Sequence, residues 1–77
     1  MNYENVPANV SSTSLNIIGV EKADQGEIQV AIKFFSEAIK LNPNDPNAYF
    51  NRATLLVKMG DIQAARADFN SAQEFSS

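Results

Sequence analysis

The sequence predicts an all-α fold of two stacked helix-turn-helix hairpins, four helices in total. Residue types recur at an interval of 34: Gly26 with Gly60, Ile28 with Ile62, Gln29 with Gln63, Ala31 with Ala65, Phe35 with Phe69 and Ala38 with Ala72. A fixed period of that length marks repeated helical hairpins. Within each copy the apolar residues follow helical rather than strand spacing, and Gly26, Pro43, Pro46 and Gly60 punctuate them where helices should stop and start.

Residues 1–11 carry Asn, Pro and Ser with Tyr3, Val6 and Val10 as the sizeable apolar groups, and read as a flexible arm. Ser12 to Ser14 supply N-cap candidates for a first helix. Leu15, Ile18 and Ala23, with Ile17 and Val20 beside them, keep helical spacing up to Gly26, which suits a left-handed C-terminal position. A second helix over 28–41 is apolar around much of its circumference, with Ala31, Phe35, Ala38 and Ile39 on one side and Ile32, Phe34 and Leu41 widening the stripe. Such a helix needs cover from more than one direction and belongs in the middle of the stack.

Asn42-Pro43-Asn44-Asp45-Pro46 ends it, because proline disfavours helical geometry in the residue before it and lacks a backbone donor. Asp45 followed by Pro46 starts a third helix over 46–59: the carboxylate accepts from free backbone N–H groups, and proline at the first position loses no bond. Gly60-Asp61 repeats the Gly26-Glu27 turn, and Ile62, Ala65, Phe69, Ala72 and Phe75 mark a fourth helix. The organisation is an arm, 1–11, and a repeat domain, 12–77, with repeats at about 12–45 and 46–77. The loop 42–47 is a linker rather than a calcium loop, since it holds two prolines, lacks the central glycine and has Ala53 where a closing Glu would stand.

The first unit reads Leu15-x2-Ile18-Gly19-x2-Lys22, Ala31-x3-Phe35 and Pro43; the second reads Tyr49-x2-Arg52-Ala53-x2-Leu56 and Ala65-x3-Phe69. In this the chain resembles the tetratricopeptide repeat family, over about residues 12–77, which implies a short right-handed solenoid. The residue sizes carry a packing argument of their own. Gly19, Ala31, Ala38, Ala53, Ala65 and Ala72 allow close helix approach, Phe35 and Phe69 fill the gaps between neighbouring hairpins, and Gly26 and Gly60 permit short reversals. Lys22 and Arg52 depart from the apolar residues typical of their sites, and Arg52 is expected to lay its stem on the core with its guanidinium in solvent.

Between the copies, Ile32 becomes Arg66, Phe34 becomes Asp68 and Ile39 becomes Gln73. A repeat followed by another needs an apolar face and a terminal one a solvated face, so the fourth helix reads as a cap on a complete two-repeat stack. Two repeats are few for a stable stack, and self-association through Ile17, Val20, Tyr3 and Val6 would cover remaining apolar surface.

The resemblance implies a groove lined by the first helix of each hairpin, in which a peptide or protein partner lies. By that analogy its lining is Thr13, Asn16, Val20, Ala23 and Asp24, then Asn47, Phe50, Asn51, Thr54, Val57 and Lys58. Phe50 is the strongest single anchor, as a partly exposed aromatic contributes much to an interface, and packing under the N-terminal arm or in a dimer contact is the competing reading. Some family members capture a chaperone C-terminal carboxylate with a basic clamp; here Asn51 matches one clamp asparagine, but Asn16 replaces a lysine and Val20 an asparagine, which disfavours that ligand.

Composition bounds the remaining classes. The net charge is −3 and the pI near 4.6, with no basic cluster to hold nucleic acid. Cysteine and histidine are absent, so thiolate chemistry, imidazole catalysis and the usual zinc ligand sets are excluded, and no cofactor or metal is expected. Glu37 is helically spaced from Lys33 and Lys40 as an ion-pairing residue, while Asp45 and Asp61 are caps; no enzyme is expected. The sequence shows neither a signal peptide nor a span, and a cytoplasmic protein is the default; the triplet Asn9-Val10-Ser11 is a chance glycosylation match in that setting. The two function classes in play are a protein-interaction module and a self-assembling protein whose groove is filled by its own arm or a second copy.

Overall fold

The structure, a computed structural model that describes residues 10–76, contains the helices α1 (Ser12–Asp24), α2 (Ile28–Leu41), α3 (Pro46–Lys58) and α4 (Ile62–Ser76). There is no strand among the described residues. α1 pairs with α2 and α3 with α4, and the two hairpins stack through contacts of α3 with both α2 and α1. α2 therefore sits between two helices, as its wide apolar stripe requires. Tyr3 and Val6 of the expected arm lie outside the described residues; Val10 packs on the cluster of Leu15, Ala38 and Ala48.

Helix starts and stops follow local chemistry. Ser11, one residue earlier than the expected candidates, caps α1: its Oγ accepts the Ser14 N–H at 3.1 Å. Asp45 caps α3 by accepting the Asn47 N–H at 3.0 Å, with Pro46 opening the helix. Both hairpin turns close alike. The Gly26 N–H donates to the Ala23 carbonyl and that of Glu27 to Lys22; likewise Gly60 donates to Val57 and Asp61 to Leu56, at 2.9–3.0 Å. This 6→1 and 5→2 pair needs a left-handed residue, which Gly26 (φ 83°) and Gly60 (φ 85°) supply. Asp61 then caps α4 weakly, through the Ala64 N–H at 3.3 Å.

Small residues set the helix spacing. Ala31, Ala38, Ala48 and Ala53 are wholly buried, and Gly19 lies directly against the Phe35 ring, where an added Cβ would come within 2.7 Å of Cδ1. Phe35 is buried among Ala31 and, from the second hairpin, Leu55, so it does fill the gap between hairpins; its burial alone is worth roughly 1.5–3 kcal/mol. Phe69 does not fill its gap. Among the described residues no helix packs over it on the outer side of α4, so it stays partly exposed and meets Phe50 edge-on at 5.7 Å between ring centres.

The expectation for Arg52 is also corrected. Its guanidinium does not stand in solvent: Nε and Nη2 donate to the two carboxylate oxygens of Asp68 at 2.7 and 2.9 Å, and Nη1 donates to Ser36 Oγ at 3.0 Å. Three helices, α2, α3 and α4, meet in this bidentate arrangement. Hydrogen bonding to Asp68 raises the Arg52 pKa above its ordinary value, burial opposes this, and the Asp68 charge adds to the rise. Asp68 is consequently buried, not part of a solvated cap face. Arg66 and Gln73 are exposed as a cap requires, but so are Ile62, Phe69 and Phe75, which leaves the outer side of α4 mixed rather than polar.

Two stability outcomes follow from these contacts. Gly19→Ala should lower unfolding free energy in urea by about 1–3 kcal/mol, since the Phe35 ring must move from a packed site; an unchanged value would mean the hairpin is looser than described. Arg52→Ile alone strands the Asp68 carboxylate and should cost about 3–5 kcal/mol. Installing Asp68→Phe with it recreates the Ile18 and Phe34 pair of the first copy, and the double variant should recover most of that loss in the same urea titration.

Candidate functional site

α1 and α3 lie side by side because α2 packs against both, and one buried carboxylate ties their ends. Besides the Asn47 N–H, Asp45 accepts from Ser12 Oγ at 2.8 Å and from Asn16 Nδ2 at 2.9 Å through its second oxygen. A linker residue that caps α3 thus also anchors α1. The charge is buried but surrounded by three donors, the condition under which burial of a carboxylate is tolerated.

Two clefts open along the α1/α3 face. The first, about 370 Å³, has Thr13, Asn16, Ile17, Val20 and Glu21 on its α1 side and Asn47 and Asn51 on its α3 side. The second, about 230 Å³, runs from Val20, Ala23 and Asp24 to Phe50, Asn51, Thr54 and Lys58, over a floor of Phe35 and Leu55. Val20 and Asn51 border both, so the clefts form one continuous trough.

Of the expected lining, Asn16, Val20, Asp24, Asn47, Phe50, Asn51, Thr54 and Lys58 come together in this trough, as do Thr13 and Ala23. Val57 does not; it is exposed but lines neither cleft. Asn16 is a wall residue rather than a free contact group, being 8% exposed and committed to Asp45. Thr54 turns its hydroxyl back to the Phe50 carbonyl at 3.0 Å. Phe50 is 55% exposed and also borders a further cleft with Phe69, Ala72 and Gln73, so its ring stands on the ridge between the trough and α4.

Ile17 and Glu21 line the trough without having been assigned to it. The signal was present in their helical spacing with Thr13 and Asp24 on one face of α1. Glu21 is the period-equivalent of Leu55, a core residue in α3, and it can be charged because no hairpin precedes α1 among the described residues. Charges in the trough are therefore Glu21 and Asp24 from α1 against Lys58 from α3.

No group of acidic side chains suited to a metal ion exists among the described residues. Glu37 pairs with Lys40 at 3.4 Å on an exposed face. No helix among the described residues is long and apolar enough to cross a membrane.

Comparison with known proteins places this architecture. A TPR repeat family model matches residues 19–60, just over half the chain, and a second tetratricopeptide repeat model matches residues 46–77. The chain belongs to the tetratricopeptide repeat family. Among tetratricopeptide repeat relatives, it is similar to tetratricopeptide repeat protein 36 of Xenopus tropicalis, 45% identical over 75% of this chain and 29% of that protein. The homolog of that protein in Nematostella vectensis is 43% identical over 78% of this chain and 33% of its own length. The Hsp70-Hsp90 organizing protein 3 of Arabidopsis thaliana is 50% identical over 49% of this chain and 7% of that protein. The chain spans about a third of the length of the first two relatives.

Proposed function

We propose that the chain is a protein-interaction module that holds a peptide or protein segment in the α1/α3 trough. The observation that carries this reading is the continuity of the two clefts, walled by one helix from each hairpin and bordered by the exposed Phe50 ring. Such a surface is concave, of mixed polarity, and has an aromatic anchor, which are the features of a recognition site. Tetratricopeptide repeats generally mediate protein-protein interaction, and a cytoplasmic setting accords with this role. Carboxylate capture by a basic clamp fits poorly, because Asn16 is buried on Asp45 and the α1 side of the trough carries Glu21 and Asp24. No catalytic role is assigned to any residue.

A second reading is favoured by the apolar groups left uncovered on α1 and α4: Ile17, 56% exposed, Ile62, 51% exposed, and Phe69 and Phe75. Association with a second copy would bury them. Light scattering separates the two readings, since a monomer leaves the trough open to a partner and a dimer that dissociates on polar substitution of Phe69 favours self-assembly.

Affinity capture from source lysate tests the leading reading. Phe50→Ala should lose retained protein partners by about tenfold or more while keeping helical content, as expected for an aromatic hot spot. Equal retention by wild type and variant would remove Phe50 as the anchor.

A further inference from the structure

The cleft between α1 and the first half of α3 carries a negative charge and no cation. Its one charged lining residue is Glu21, whereas Lys58 lines the neighbouring cleft together with Asp24. Asn16 is more than nine-tenths buried in the cleft wall, and its Oδ1 has no hydrogen-bond partner. The orientation of that amide is set by Asp45, which takes Nδ2 at 2.9 Å. An amide whose N–H is polarised by a carboxylate has a more strongly accepting carbonyl.

The helix starts at this end act in the opposite sense, each contributing about half a positive charge. Asp45 offsets them with a whole negative charge and already occupies an N–H of α3, while Glu21 adds a second negative charge farther along the cleft, toward the C-terminal end of α1. The balance favours a cation. Ile17 and Val20 form an apolar wall beside Glu21, suited to the methylene stem of a long basic side chain.

We propose that this cleft receives a lysine or arginine side chain of the bound polypeptide, its stem on Ile17 and Val20 and its charged head toward Glu21 and the amide carbonyls of Asn47 and Asn51. The proposal rests on the trough being the binding surface and names the chemistry of its occupant. A carboxylate in the same place would face Glu21 with no cation among the lining residues, so the site selects the opposite charge from a basic clamp.

The test uses the full chain, isotope-labelled for NMR, and three acetylated and amidated peptides of sequence Gly-Ala-X-Ala-Gly in which X is lysine, norleucine or glutamate. The lysine peptide should shift the side-chain amides of Asn47 and Asn51 and bind about fivefold or more tightly than the norleucine peptide, with the difference shrinking as salt rises. Glu21→Gln, at an exposed position, should remove most of that preference, so that the lysine and norleucine peptides bind alike. Equal binding of all three peptides overturns the cation site but leaves the trough as a peptide-binding surface. Preference for glutamate, or no shift with any peptide, overturns the cation site also, whereas the trough itself is judged separately by the Phe50→Ala capture.

Discussion

The arrangement of the trough depends on the Asp45 carboxylate. It closes the first turn of α3 and at the same time holds Ser12 and Asn16 of α1, so the element that begins one hairpin fixes the position of the other. Apolar packing alone would bring α1 and α3 together, but it is non-directional and would tolerate sliding of one helix along the other. Three directed hydrogen bonds to one charge set the register. The face between those helices thus inherits its width and its polarity from a residue of the linker.

The second constraint is the contact between hairpins through α2. Gly19 permits the Phe35 ring to lie against α1, and the ring shares a buried cluster with Leu55 of α3, so one aromatic residue joins three helices. Where the first copy of the repeat has Ile18 and Phe34, the second has Arg52 and Asp68, and Ser36 of α2 takes part in the resulting network. A buried ion pair of this kind adds little net stability over an apolar pair, because desolvation offsets its attraction. Its geometry is more exacting, and the junction of α2, α3 and α4 is correspondingly specific.

Much of this architecture was legible in the residues. The limits of α2, the left-handed turns at Gly26 and Gly60, the Asp45-Pro46 start of α3 and the small residues at helix contacts all follow from local backbone chemistry and periodicity, which act within a few residues. Of the eleven residues that the resemblance names for the groove, ten border the two clefts and Val57 does not. The two polar departures involve pairs distant in sequence. Arg52 and Asp68 each look like solvated substitutions when taken singly, although the simultaneous change from Ile18 and Phe34 marks them as partners. Asn16 looks like a groove contact until Asp45 is placed beside it. Phe69 matches Phe35 in sequence but not in burial, because burial depends on what stacks next.

Asp45 couples the two hairpins by holding Asn16. A double-mutant cycle in urea unfolding with Asn16→Ala, Asp45→Ala and the combined variant measures this directly, because the loss of the α3 cap is common to both legs and cancels. The expected coupling free energy is at least about 1 kcal/mol. Additivity of the two substitutions within about 0.3–0.5 kcal/mol would contradict it.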